Sequence, residues 1–401
     1  MGSSLVPRWM SRAASCLAAA VLSAASPVWA QSSRTEAIAA EQADKAKDLQ
    51  PRVPPGAERA VKWVKDELID EPSGLYPYFG SVYAGGGFTV GAGYRRYYGD
   101  NTHWDAKVLQ SIKNYRLIEL STDSWNHAGG RLDLHARAGW RDAPDVPFYG
   151  LGIDSPATMA GFGVTQVYAG GEVAWRPLAN VHLQGGVMHE DYSTAPPSGA
   201  RLPVQSIFDA FTAPGLGLEP AYWHSTASVG YDWRPAAGYA RRGGLYEIRY
   251  HRYAGGVDDF DRVEGEVVQH VPLVRKNWVL SLRGRTDAIL TDQALVPYYL
   301  LPALGGGSTL RGYSSWRFRD RNAALTTAEL RWIPNRNMLD VAVFYDTGMV
   351  APEFGDLALN RFKSDAGIGV RFHGPRSTPL RIEVAKSREG LHVIFAGSAA
   401  F

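Results

Sequence analysis

From Tyr76 to the C-terminus the chain repeats one pattern, with apolar side chains at every second position and polar or charged ones between them. Leu132, Leu134, Ala136 and Ala138 alternate with Arg131, Asp133, His135 and Arg137. Tyr246, Ile248 and Tyr250 alternate with Glu247, Arg249 and His251. Trp278, Leu280 and Leu282 alternate with Ser281, Arg283 and Arg285, and Leu380, Ile382 and Val384 with Arg381 and Glu383. A period of two is a strand with two unlike faces. Faces this polar cannot form the core of a two-sided sandwich. They suit a sheet closed on itself, with lipid outside and water or paired polar groups inside. Beyond the N-terminus no run of about 18 apolar residues occurs, which excludes a bundle of membrane-spanning helices. The pattern predicts an all-β protein, a transmembrane antiparallel β-barrel over residues 76–401.

Short turns such as Pro334-Asn335-Arg336-Asn337 and Arg275-Lys276-Asn277 alternate with long loops, Ser193 to Tyr222 and Leu290 to Tyr313. Short periplasmic turns and long extracellular loops are the asymmetry of outer-membrane barrels. The alternation yields about fourteen segments, within bounds of roughly twelve and sixteen because segment boundaries slip by a few residues. The 43 glycines, 20 tyrosines and 12 tryptophans suit twisted strands and membrane interfaces. Tyr94, Tyr97, Tyr98, Tyr298 and Tyr299 read as an interface girdle rather than a ligand cage.

Residues 1–30 read as a secretory signal peptide. Arg8 and Arg12 precede the apolar run Cys16 to Ala25, and Val28-Trp29-Ala30 offers a small-residue cleavage site before Gln31. The expected location is the bacterial outer membrane, reached by secretion through the inner membrane. Cys16, the only cysteine, lies in the leader, so the mature chain has no disulfide, cysteine-ligated metal or cysteine nucleophile. Residues 31–75 differ in character from the strand-patterned region. Glu36 to Lys47 is alanine- and charge-rich with helical propensity, and Pro51 and Pro54-Pro55 break it. Ala60, Val61, Val64 and Leu68 then form an amphipathic stripe on a short helix. This segment is read as a poorly ordered leader, or as a plug or periplasmic cap. It is too short for periplasmic repeat domains.

The stretch from Leu304 to Gly348 carries the most information about function. It opens on Gly305-Gly306-Gly307-Ser308-Thr309 and continues as Leu310-Arg311-Gly312-Tyr313. Two strand-like segments come next. The first places Thr327, Glu329 and Arg331 on one face and Leu330 and Trp332 on the other. The second places Asp340, Ala342, Phe344 and Asp346 opposite Leu339, Val341, Val343 and Tyr345. A loop arginine is thus succeeded by carboxylates on the polar faces of neighbouring strands. A guanidinium held between carboxylates is a strong and geometrically specific lock. Arg311 is therefore expected to meet Glu329 and Asp346 in the lumen.

Leu310-Arg311-Gly312-Tyr313 resembles the V/L-R-G-F/Y loop motif of the bacterial surface antigen family, the C-terminal barrel of the outer-membrane assembly and two-partner-secretion superfamily of BamA-like proteins. Glu329 and Phe344-x-Asp346-x-Gly348 come in that family's order, and Phe148-Tyr149-Gly150-Leu151-Gly152 is similar to a segment of its short members. The resemblance covers roughly residues 76–401. It implies sixteen strands, a motif loop folded into the lumen against the two carboxylates, and a seam between first and last strands that can open. The end of the chain, with Leu391, Val393 and Phe395 at alternate positions and the terminal aromatic Phe401, reads as a C-terminal assembly signal, although Ala399 departs from a clean aromatic pattern.

No catalytic, cofactor or metal site is expected. His182, His189, His251, His270, His373 and His392 are scattered without ligand spacing, His189-Glu190 reads as a polar loop end, and the glycine run lacks the lysine of a phosphate loop. Removing Arg8 and Arg12 from the 42 basic residues leaves 40, against 40 acidic ones, so the mature chain has no electrostatic footprint for nucleic acid. The expected partners are outer-membrane lipid and either a protein client or further copies of the chain. The favoured function is a non-enzymatic barrel for protein or lipid assembly and translocation. A passive channel or porin, and an outer-membrane lipid hydrolase, are the alternatives.

Overall fold

The computed structural model describes residues 73–401 apart from 275–276, 293–294, 335–337, 375–377, 379 and 398–399. The expected signal peptide and the helical stripe of the leader segment lie outside the described residues. In chain order the strands begin with β1 (Gly74–Gly80), β2 (Thr89–Tyr98), β3 (Thr102–Ser111), β4 (Arg116–Asn126), β5 (Leu132–Phe148), β6 (Ala160–Leu178) and β7 (Val181–Ala195). They continue with β8 (Leu202–Pro203), β9 (Ala221–Asp232), β10 (Gly243–Ala254), β11 (Phe260–Pro272), β12 (Trp278–Ile289), β13 (Ala303–Leu304) and β14 (Phe318–Arg319). The last are β15 (Asn322–Trp332), β16 (Leu339–Ala351), β17 (Lys363–Phe372), β18 (Leu380–Ser387) and β19 (Gly390–Ala396). Sixteen of these are long, and β8, β13 and β14 are two-residue pieces.

Each long strand pairs antiparallel with the next, from β1–β2 through β7–β9 and β12–β15 to β18–β19. Among the described residues no register joins β19 back to β1. Up-and-down order puts alternate connections at opposite ends of the sheet. One end carries the long loops, including 196–220 and 290–321, and the other carries short turns such as 99–101 and 179–180.

The two faces obey the alternation in the sequence. Tyr246, Ile248 and Tyr250 are exposed on the outer wall. Glu247 points inward, where its carboxylate accepts from Arg249 at 2.8 Å and meets His182 Nε2 at 3.0 Å. Apolar groups outside and ion pairs inside are the reverse of a soluble sandwich and the signature of a barrel in lipid. Two expectations fail here. Tyr94 and Tyr98 are exposed on the outer face, but Tyr97, one position over, turns inward beside His103, because successive strand residues point opposite ways. Tyr298 and Tyr299 lie in the loop 290–302, buried rather than in a girdle. His189-Glu190 is also not a loop end. It lies inside β7, with Glu190 buried and accepting from Tyr192 at 2.7 Å.

The apolar core sits at the long-loop end. Phe148, Phe162, Tyr192, Tyr222, Tyr298 and Tyr299 belong to one buried cluster, joined by Val82, Val204 and Val296 from the loops. Tyr298 meets Phe148 at 4.9 Å and Phe162 at 4.8 Å between ring centroids. Tilted and edge-on rings at these separations are the favourable geometry for aromatic pairs. The upper ends of β5, β6, β7 and β9 and the loop bearing Tyr298 and Tyr299 therefore form an aromatic dome over the mouth of the barrel. At the opposite end the connection 233–242 turns inward. Tyr239 stacks on His373 at 3.9 Å and donates to Asp340 at 2.8 Å, while the Gly238 carbonyl accepts from Thr378 at 3.1 Å.

Candidate functional site

The loop between β12 and β15 enters the barrel as a narrow ribbon, with Ala303 opposite Arg319 and Leu304 opposite Phe318. It then reverses at Gly305 and Gly306, whose φ values of 114° and 96° need residues without a side chain. The Gly306 amide lies 3.2 Å from the Leu310 carbonyl and 3.1 Å from that of Tyr313, and the Gly305 amide donates to Thr309 Oγ1 at 2.8 Å. Two wall arginines hold the turn from below. Arg381 donates to the Gly307 carbonyl at 2.5 Å and Arg283 to the Ser308 carbonyl at 2.8 Å. Leu310 and Tyr313 pack with Leu304, Phe318 and Leu325 in a second buried cluster.

This turn delivers Arg311 to the wall, where it is 2% exposed. Its Nε and Nη2 reach the two oxygens of Asp346 at 2.7 and 3.0 Å, and its Nη1 lies 3.3 Å from Glu329 and 3.2 Å from Glu383. Thr327 donates to Asp346 at 2.8 Å, and the guanidinium carbon lies 3.3 Å from the centre of the Phe344 ring. Face-on contact of a cation with a ring adds attraction to the ion pairs. Each position of Phe344-x-Asp346-x-Gly348 thus has a physical role. Phe344 backs the guanidinium and Asp346 grips it. Gly348 makes room for the loop, since a Cβ there would stand 2.9 Å from Leu304 and 2.8 Å from the Ala324 carbonyl. Gly312 is required for the same reason, because a Cβ on it would lie 2.4 Å from the Asp365 Cβ.

The lock is larger than the pair of carboxylates expected from the sequence. Glu383 of β18 also accepts from Arg371 at 2.8 Å and from Arg381 at 2.6 Å, and Arg371 forks the two oxygens of Glu329. These six side chains place three guanidiniums against three carboxylates, all buried. Such a network is tolerated in a dry site because Arg311, Arg371, Glu329 and Glu383 each meet at least two opposite charges, while Asp346 also accepts from Thr327 and Arg381 also donates to the Gly307 carbonyl. Glu383 and Arg381 were visible as the polar face of their strand. Their place in the lock depends on register across β16, β17 and β18, which no local spacing reveals.

The other candidate residues separate. Leu391, Val393 and Phe395 share the outer face of β19 and are exposed. Phe401 lies beyond the strand, with its ring stacked parallel to His270 at 6.1 Å and the Arg283 guanidinium 5.7 Å from its centre. It therefore does not continue the alternate apolar face. His270 also meets Ser281 Oγ at 2.8 Å, a serine–histidine contact that the sequence did not single out. Both are buried, and the second ring nitrogen of His270 has no hydrogen-bond partner among the described residues. His270 and Ser281 are register partners on β11 and β12, so the contact ties the two strands together.

A model of the Omp85 superfamily domain matches residues 160–390, more than half of the chain. The chain belongs to the Omp85 superfamily. No curated protein sequence matches it. Among solved structures it is similar to BamA from Haemophilus ducreyi lacking POTRA domains 1–3, at a TM-score of 0.60 and 16% identity, covering 82% of this chain and 70% of that one. CdiB from Escherichia coli gives a TM-score of 0.56 at 12% identity over 80% of this chain and 61% of that one. CdiB from Acinetobacter baumannii gives 0.51 at 12% identity over 80% and 58%. The chain spans less than two thirds of either CdiB. At these identities the likeness is one of fold, that of an outer-membrane β-barrel. In this Omp85 barrel the Leu310–Tyr313 segment makes hydrogen bonds to four consecutive strands, β15 to β18.

Proposed function

We propose that this Omp85 barrel is a non-enzymatic device for assembling or translocating a protein client, acting through the inward-folded Leu310–Tyr313 loop. The observation that carries the reading is where the lock is fastened. Arg311 ties the loop to β15, β16 and β18, and β18 leads directly into β19. One edge of β19 and one edge of β1 have no partner strand among the described residues. A free edge is a template for strand addition, which is a recurrent way to hold an extended client. A loop clamped to the wall beside that edge can fix its position. The aromatic dome and the buried ion pairs argue against a passive channel, which needs an open aqueous lumen.

Photocrosslinking residues placed at Tyr78 of β1 and Val393 of β19, in the full chain in intact outer membranes, test this reading. Polypeptide adducts at both edges, absent at Val229 on the outer wall away from the seam, are expected. Steady single-channel conductance of the purified barrel with no polypeptide adduct at either edge would instead make it a pore.

A further inference from the structure

A groove of about 710 Å3 crosses the outer wall over β9 to β15. That lies in the range of small-molecule sites, about 300–1,000 Å3. Two rows of outward residues, neighbours in the register, make its floor. One row runs Tyr231, Tyr246, Val267, Gly284 and Thr326. The other runs Val229, Ile248, Gly265, Thr286 and Ala324. In both rows the side chains shrink from β9 and β10 towards β12 and β15, so the wall steps inward.

Neither mid-strand glycine is explained by local packing. Gly284 has nothing within 4 Å of where a Cβ would stand, and Gly265 meets only a threonine methyl at 3.2 Å. Neither has a left-handed φ. What their missing side chains create is the depression itself. Its far end is roofed by the loop 352–362. Met349 shares the outward parity of Val343 and Tyr345, which are exposed, yet it is 1% exposed, and Phe362 packs on the cluster that contains it. Phe362 and Leu359 line the groove from above. At the short-turn end the lining is Val181 and Tyr231, and the Tyr231 hydroxyl accepts from Asn180 at 3.4 Å.

We propose that this groove is a binding site for the acyl chain of a phospholipid from the periplasmic leaflet. The floor is apolar and faces the bilayer, because Glu247, Glu266 and Arg285 turn their side chains into the lumen. The row from Val181 to Thr326 crosses five strand spacings, about 24 Å at 4.8 Å each. That length accommodates a chain that fills half of a ~30 Å hydrocarbon core. The Tyr231 and Tyr246 hydroxyls and the Asn180 amide sit at the short-turn end. At the other end Leu359 and Phe362 close the groove over Thr286 and Thr326, and the Thr286 hydroxyl is taken up by the Ala323 carbonyl, so the headgroup belongs at the periplasmic side. A concave channel floored by two rows of side chains that become small towards β12 and β15 fits a single chain better than the convex wall of a second copy.

The test is native mass spectrometry of the full chain in detergent, titrated separately with 1-palmitoyl-2-oleoyl-phosphatidylethanolamine and with lipid A. Gly284→Trp fills the depression, and Ala136→Trp on the outer face of β5 is the control. Wild type and control should retain the phosphatidylethanolamine, and Gly284→Trp should retain it at least about tenfold less, since excluding even a few methylenes costs that much. If Gly284→Trp does not fold, as judged by heat-modifiable gel mobility, Phe362→Ser opens the roof and should weaken retention in the same direction. Equal retention by all variants would overturn the proposal. Retention of lipid A in place of the phospholipid would overturn its source. Loss of a dimer in Gly284→Trp with lipid retention unchanged would make the groove an interface between copies.

Discussion

Arg311 and Asp346 meet fork to fork, with Nε and Nη2 on the two carboxylate oxygens at 2.7 and 3.0 Å, although 35 positions separate them in the chain. The Arg311 backbone amide also points at the same carboxylate, at 3.4 Å. The pair fixes both the side chain and the backbone of the loop tip. A lysine ammonium cannot reproduce the two parallel bonds.

Glu383 is expected to matter as much as Asp346, although it lies outside the family-like motif. Glu383→Gln leaves Arg311, Arg371 and Arg381 facing two carboxylates. Breaking one member of a buried network costs on the order of 3–5 kcal/mol, less where water enters. Adding Arg381→Gln removes the excess charge and should recover part of that loss. Urea midpoints of the barrel in lipid vesicles measure it. A double variant no more stable than Glu383→Gln alone would mean that charge balance is not what Glu383 supplies.

Gly312→Ala adds one methyl group where the Asp365 side chain stands 2.4 Å away. The loop tip has to leave the wall to admit it. The expected result is faster protease cleavage within residues 304–316 in intact membranes, comparable with that of Arg311→Ala. Cleavage at the wild-type rate would mean that the tip tolerates a side chain and does not seat against β17.

The facing of the wall predicts an asymmetry between neighbours. Ile248 is 59% exposed on the lipid side, and Arg249 is paired with Glu247 on the other. Ile248→Arg should cost about 2–4 kcal/mol near the bilayer midplane. Arg249→Ile should cost less, because it leaves a carboxylate that still meets His182. Equal shifts in heat-modifiable mobility would mean that the facing assignment is wrong.

At the rim, Asp154 of the loop 149–159 meets Arg361 of the loop 352–362 at 2.7 Å and Lys363 at the start of β17 at 2.9 Å. The hydrogen bonds from Lys363 and Arg361 hold its carboxyl below the ordinary range. A group with a lowered folded-state pKa stabilises above its unfolded pKa and loses that contribution as the pH falls through the folded value. The clamp should therefore persist down to the ordinary aspartate range near pH 4 and loosen below it, and salt should weaken it because the group is exposed. Hydrogen exchange of residues 352–362 between pH 3 and pH 6 measures this, and Asp154→Asn should remove the acid-dependent step.

Much of this site was legible in the sequence. Period two placed Glu329 and Asp346 on polar faces of neighbouring strands, and the structure puts both within hydrogen-bonding reach of Arg311. The strand count was less clear, because glycine-rich segments such as 89–98 and 163–171 carry weak alternation. Glu383, Arg371 and Arg381 entered the lock through register over two further strands, β17 and β18, a long-range property of pairing. Tyr298 and Tyr299 have a girdle's composition, but they lie on a loop folded back over the mouth. Phe401 ends the chain as an assembly signal would, but its ring turns onto His270 once β19 has stopped at Ala396.

The central claim, that the motif loop is held in the lumen by Arg311 on its carboxylates, is tested most directly by a double-mutant cycle on Arg311 and Asp346. Wild type, Arg311→Ala, Asp346→Ala and the double variant are compared by the rate of proteolysis of residues 304–316 in intact membranes. Both single changes should speed cleavage, and the double change should cost less than their sum by about 0.5–3 kcal/mol, because both remove one interaction. Arg311→Lys should fall between wild type and Arg311→Ala. Strict additivity would mean that the two side chains do not meet, and would contradict the account.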